Sequence, residues 1–166
     1  MFKPDDLSQF PNFSSEAALK LFKRSLQDAH AGELAAAYAY TGHGLSLFVQ
    51  GKKEKQEILK IRDEELHHRM RIREMMIEVG TTPRGTRELL MGVLGLSIGF
   101  LCLFGGWFIP MYGAGRLESS NIFEYEVAAR LAYLCGFFEF VNEFIEFGEL
   151  EWITSSILEK KPAVTF

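Results

Sequence analysis

The chain has 166 residues, 48% of them hydrophobic and 24% charged, which suits one globular domain and excludes a disordered chain. With 18 basic against 22 acidic residues and a net charge of −4, it lacks the basic surface that nucleic acid demands. The 2 Cys, Cys102 and Cys135, each sit in an apolar run and read as buried thiols, not as a disulfide framework. The opening segment MFKPDDLSQF carries acids where a secretory or mitochondrial targeting segment would carry Arg or an apolar core. The expectation is a reducing, cytoplasm-facing compartment.

In chain order, Ser14 and Ser15 ahead of EAALKLF signal a helix start, and helical periodicity predicts helix 1 over 14–50. Gly51-Lys52-Lys53 breaks it, and a charged helix 2 follows over 54–79. The loop from Gly80 to Gly85 contains Pro83. An apolar segment and helix 3 occupy 86–134, and helix 4 occupies 137–159. No run alternates like a strand, so the predicted fold class is all-α, a single domain over 1–166 arranged as an antiparallel four-helix bundle. From Leu89 to Gly115 no residue is charged, a stretch beyond the ~18 residues that mark a transmembrane candidate. Gly92, Gly95, Gly99, Gly105, Gly106 and Pro110 suit close packing or a break, and Trp107 and Tyr112 stand near one end as interfacial aromatics would. The reading favours a segment lying in the membrane interface over one that spans it.

Carboxylates interrupt the apolar stripes at a few positions. Helix 1 gives Leu19, Phe22, Leu26, Ala29, Glu33, Ala36, Tyr40 and His43, with Glu33 in the middle of the seam. Helix 2 gives Ile58, Ile61, Glu65, His68, Ile72, Met75 and Val79, which places Glu65 and His68 one turn apart on the same face and turns His67 away. A buried carboxylate must be paired, protonated or bound to metal. A Glu-x-x-His on one helix with a Glu from its neighbour is half of a di-iron carboxylate site. The second half is sought at a similar separation, in Glu118 on helix 3 and Glu149 on helix 4. From Leu131 to Leu158 there are five Glu and no Lys, Arg or His, so the acids there face either solvent or a cation. The helix 4 stripe is read as Glu139, Asn142, Glu146, Glu149 and Ile153.

HAGELAAAYAYTGH (His30–His43), EELHH (Glu64–His68), LESSNIFEY (Leu117–Tyr125) and GELEW (Gly148–Trp152) together resemble the demethoxyubiquinone hydroxylase family over roughly Ser15 to Leu158. That resemblance implies a ferritin-like bundle, a carboxylate-bridged di-iron centre with two iron ions per chain, and membrane-associated quinone hydroxylation. It implies Glu33 as first-helix ligand, Glu65 and His68 as the first Glu-x-x-His, Glu118 as third-helix carboxylate, and Glu149 in the second Glu-x-x-His. Trp152 stands where that motif's His belongs, and an indole cannot ligate iron. Glu146 is the nearest replacement.

The expected function is therefore a di-iron monooxygenase, an oxidoreductase acting with O2 on a lipid-soluble, quinone-like substrate at the cytoplasmic side of a membrane, with homo-oligomerisation left open. Two alternatives remain. One is a ferritin- or rubrerythrin-like protein that handles iron or peroxide. The other is a non-catalytic membrane-associated helical protein whose Glu stripe faces water.

Overall fold

The computed structural model describes residues 15–46, 52–104 and 108–160, and of residues 52, 54, 108–120 and 155–160 it describes the backbone alone. Among the described residues the regular structure is entirely helical, in five helices: α1 Ser15–Gly44, α2 Lys52–Glu78, α3 Gly85–Phe104, α4 Phe108–Leu134 and α5 Phe138–Lys160. The apolar segment is thus a helix of its own, α3, distinct from the helix that carries Glu118 and Tyr125. Residues 47–50, assigned to helix 1 from periodicity, lie outside the described residues.

Two glycines end helices cleanly. Gly80 has φ 71° and Gly136 has φ 83°, a conformation that a Cβ would strain. Each closes its helix with a paired motif. Thr81 N donates to Met76 O and Gly80 N to Ile77 O, while Phe137 N donates to Ala132 O and Gly136 N to Tyr133 O. The second pair creates the sharp α4–α5 turn that Cys135-Gly136 only weakly advertises in the sequence.

Contacts along the helices fix their directions. Gln27 on α1 donates to Thr81 and Thr82 beyond the end of α2, and Gly44 meets Leu59 near its start, so α1 and α2 are antiparallel. The Tyr133 and Phe138 rings lie 5.3 Å apart at the α4–α5 turn, and Tyr125 meets Phe147 at 5.6 Å further along, so α4 and α5 are also antiparallel. Phe22 on α1 packs against Phe137, Phe140 and Phe144 at 5.8, 6.5 and 6.2 Å. Ile72, Met75 and Met76 of α2 join the same core. Burying each of these large side chains contributes roughly 1.5–3 kcal/mol.

Helix α3 runs parallel to α1 and nearly touches its backbone. Gly92 faces Leu34, Gly95 faces Ala35, and Gly99 faces Tyr38 and Gly42. A Cβ on Gly42 would fall 2.2 Å from the Gly99 carbonyl oxygen, and one on Gly95 would fall 2.5 Å from that of Ala35. Backbone cannot yield as a side-chain tip can. Gly42→Ala and Gly95→Ala are each expected to destabilise the chain by about 1–3 kcal/mol through overpacking. Gly32→Ala, with nothing within 4 Å of the added Cβ, should instead raise stability by about 0.5–1 kcal/mol from helix propensity. Thermal denaturation of the three variants checks both signs.

Candidate metal centre

The apolar stripe of α1 buries Phe22, Leu26, Ala29 and Tyr40, and Glu33 lies in that same stripe, 2% exposed. The α2 stripe buries Ile58, Ile72, Met75 and Val79, with Glu65 and His68 between them. In α5 a buried stripe runs through Phe140, Phe144 and Phe147, and the next at helical spacing is Glu151, 2% exposed. Four donor groups, from Glu33, Glu65, His68 and Glu151, thereby converge with ligand atoms all within 4.8 Å of one another. Helix α4 contributes Tyr125, whose hydroxyl donates to Glu33 Oε1.

The centre is walled by aromatic rings. Phe147 lies 4.3 Å from the His68 ring, and Tyr125 meets it edge-on at 6.1 Å. His68 Nδ1 approaches Glu151 Oε1 to 3.7 Å, too far for a hydrogen bond. Burial pushes the Glu33 carboxyl up to about 8, with repulsion from Glu151 and Glu124 adding to it. A hydrogen bond with Glu65 and the charge of Arg69 pull the other way. Burial pushes His68 down to about 4, assisted by its neighbour His67. At neutral pH the imidazole is therefore uncharged with a lone pair available, and Glu33 holds a proton.

These residues fit a metal ion. Glu33 Oε2 and His68 Nδ1 are buried without a hydrogen-bond partner among the described residues. Three carboxylates and one imidazole form a hard, mixed O/N donor set suited to iron, manganese or zinc, with no thiolate. A divalent cation would offset the cost of burying a charged Glu33 carboxylate, and the repulsion from Glu151 and Glu124 that adds to it.

The structure brings together Glu33, Glu65 and His68 of the residues expected from the sequence. His67 is exposed one position along, which agrees with the helical phase read from α2. The side chain of Glu118 lies outside the described residues. Glu146 and Glu149 do not join: both are exposed, as are Glu139, Asn142 and Ile153. The α5 phase read from the sequence is therefore corrected. Turning that polar stripe inward would have expelled Phe140, Phe144 and Phe147 into water. Glu143 is also explained: Arg71 of α2 grips it with contacts of 2.8 to 3.0 Å, an inter-helix cation that relieves the acidic run.

Glu151 is the donor that sequence reasoning missed. Its signal was the same as that of Glu33, a lone carboxylate continuing an apolar stripe. Its i+3 neighbour is Thr154, so α5 brings no second imidazole. The chain has 4 His in all. His30 is bound to Glu88 and His43 is buried near the far end of α1, which leaves His68 as the imidazole of the cluster.

A family model described as ubiquinone biosynthesis protein COQ7 matches residues 20–110. The matched span contains Glu33, Glu65, His68 and all of α3, and ends before Glu118 and Glu151. No curated protein and no solved structure matches the chain.

Proposed function

The chain belongs to the COQ7 family of ubiquinone biosynthesis proteins, and from that premise we propose that it is a membrane-associated, iron-dependent monooxygenase that hydroxylates a quinone-type lipid. The observation that carries this reading is the buried convergence of Glu33, Glu65, His68 and Glu151. In this reading α1, α2, α4 and α5 are the ferritin-like four-helix bundle, and α3 is its lipid-facing addition. The metal complement is two iron ions, as the family resemblance implies.

Bound iron would supply reduction of O2 and insertion of one oxygen atom into a C–H bond, the other leaving as water at the expense of two electrons from an external donor. The chain's own residues prepare that chemistry. Glu65 and His68 present oxygen and nitrogen donors from one turn of α2. Tyr125 holds Glu33 Oε1, while the buried Oε2 has no hydrogen-bond partner among the described residues. Phe144, Phe147 and the Tyr125 ring exclude water, so a reactive centre would be quenched less readily.

Helix α3 supports the lipid side of the proposal. Among the described residues it is the helix long and apolar enough to cross a membrane, yet 22% of its most apolar window is buried in the protein. Leu89, Leu90, Val93, Leu96, Phe100, Leu101 and Phe104 are 54–70% exposed. A contiguous apolar face of this kind exceeds what a soluble monomer leaves uncovered. We read it as lying against the cytoplasmic face of a membrane, where an amphiphilic quinone would be dissolved. The double variant Leu96→Glu, Phe100→Glu alters two exposed positions and is expected to abolish co-flotation with phospholipid vesicles while leaving iron content unchanged. Co-flotation at the wild-type level would remove α3 from the membrane contact.

Iron content per chain, followed by hydroxylation of a polyprenyl benzoquinone in vesicles with O2 and a reductant, tests the activity. The presence of a lone imidazole in the centre favours, as second reading, an iron- or peroxide-handling protein. That activity would be indifferent to lipid, whereas the hydroxylase would require it.

A further inference from the structure

Three side chains that ligate nothing form a partly buried knot beside the centre. Glu88, in the first turn of α3, accepts from His30 Nδ1 at 2.7 Å through one oxygen and from Arg69 Nη2 at 2.6 Å through the other. Arg69 Nη1 also donates to the backbone carbonyl of His30. The three contacts close a triangle across α1, α2 and α3. Side-chain exposures of 5% for His30, 18% for Glu88 and 22% for Arg69 place it in a setting where a charge-assisted pair is worth more than at the surface.

The positions of the donors matter. Arg69 directly follows His68 on α2, and His30 lies one turn before Glu33 on α1, on the side of the helix that meets α3. Hydrogen bonds that orient metal ligands typically cost ten- to hundredfold in affinity when lost, and this knot acts one step further out, on the turns that carry the ligands. Here the orienting group comes from a helix that contributes no ligand. Further along the seam α3 meets α1 through glycines, whose packing sets distance but carries no directional bond.

We propose that Glu88 is a positioning residue for the metal centre: by holding Arg69 and His30 it sets the ligand-bearing turns of α2 and α1 relative to each other from the apolar helix. The proposal rests on the metal reading above. A second ionic contact at the same α1–α3 seam, Asp28 Oδ1 with Arg87 Nε at 3.1 Å, provides the control, because it fastens the two helices without touching Arg69 or His30.

The experiment is titration of the full chain with Co(II), reading the dissociation constant and the visible ligand-field spectrum. Glu88→Ala is expected to weaken binding about ten- to hundredfold and to alter the spectrum. Glu88→Gln, nearly isosteric, presents an NH2 to one of two donors and should lose a smaller factor, about three- to tenfold. It serves if the Ala variant does not fold. Asp28→Asn should bind as wild type does. Unchanged affinity and spectrum in the Glu88 variants would overturn the proposal, as would equal weakening by Asp28→Asn, which would reduce the effect to loosening of α3. A wild-type chain that binds no cobalt would overturn the metal reading and this proposal with it.

Discussion

Glu151→Ala and His68→Ala are each expected to yield protein with little or no bound metal, whereas Glu146→Ala and Glu149→Ala should retain it at the wild-type level. The reason is burial and phase. Glu151 and His68 are each 2% exposed and offer donor atoms within 4.8 Å of those of Glu33 and Glu65. His68 is the imidazole of the cluster, and imidazole suits iron better than carboxylates alone. Its loss should cost more than about a hundredfold in affinity, above the range for residues that merely orient a ligand. Glu146 and Glu149 stand on the exposed face of α5 and have no route to the centre without rotating the helix. Metal content by elemental analysis, after dialysis against a buffered chelator, reads all four variants together. Metal loss in Glu149→Ala with retention in Glu151→Ala would place the opposite face of α5 inward.

The second large effect is on pH. Metal must displace the proton that burial keeps on Glu33, whose carboxyl is pushed up to about 8. His68, pushed down to about 4, presents no competing proton above about pH 5. Apparent affinity should therefore rise about tenfold per pH unit between about 5 and 8, and level off above that. Glu33→Gln carries no titrating group and should flatten the slope. Calorimetry in buffers of different ionisation enthalpy would count the released proton. A slope unaltered by Glu33→Gln would assign the proton to another group.

The same two groups shape the stability of the metal-free chain. A carboxyl raised from 4.5 to about 8 binds its proton more tightly when folded, so its contribution is full below 4.5 and is lost as pH rises to 8. An imidazole lowered from 6.5 to about 4 contributes fully above 6.5 and loses that contribution as pH falls through 4. The two slopes cancel between about 4.5 and 6.5. From about 6.5 to 8 the carboxyl acts alone, at roughly 1.4 kcal/mol per unit, so the metal-free chain should lose about 2 kcal/mol across that window. Metal-loaded protein should not follow this decline, since a ligated Glu33 has already surrendered its proton.

The helical period made much of this legible. Apolar residues recurring every three or four positions marked α1, α2 and α5, and the same period exposed Glu33, Glu65 and His68 as polar groups on buried stripes. Those positions need no tertiary knowledge, because a single stripe on each helix is apolar and its face is unambiguous. Helix α5 is different. It carries an aromatic stripe through Phe140, Phe144 and Phe147 and a polar stripe through Glu139, Asn142, Glu146 and Glu149, and periodicity alone does not choose between a solvated polar face and one turned toward a cation.

The fold decides by area: three Phe side chains pack against Phe22 and Tyr125, and the Glu stripe is left in water. Glu151, continuing the aromatic stripe, enters the centre as a consequence. The sequence by itself thus determined an all-helical chain, its apolar segment and three buried metal-ligand candidates, since these follow from local periodicity and composition. Tertiary structure alone decided which α5 carboxylate joins them, that Arg71 captures Glu143, and that α3 lies parallel against α1 with Glu88 reaching Arg69 and His30. Each of those depends on the rotation and spacing of one helix against another, which no single helix encodes.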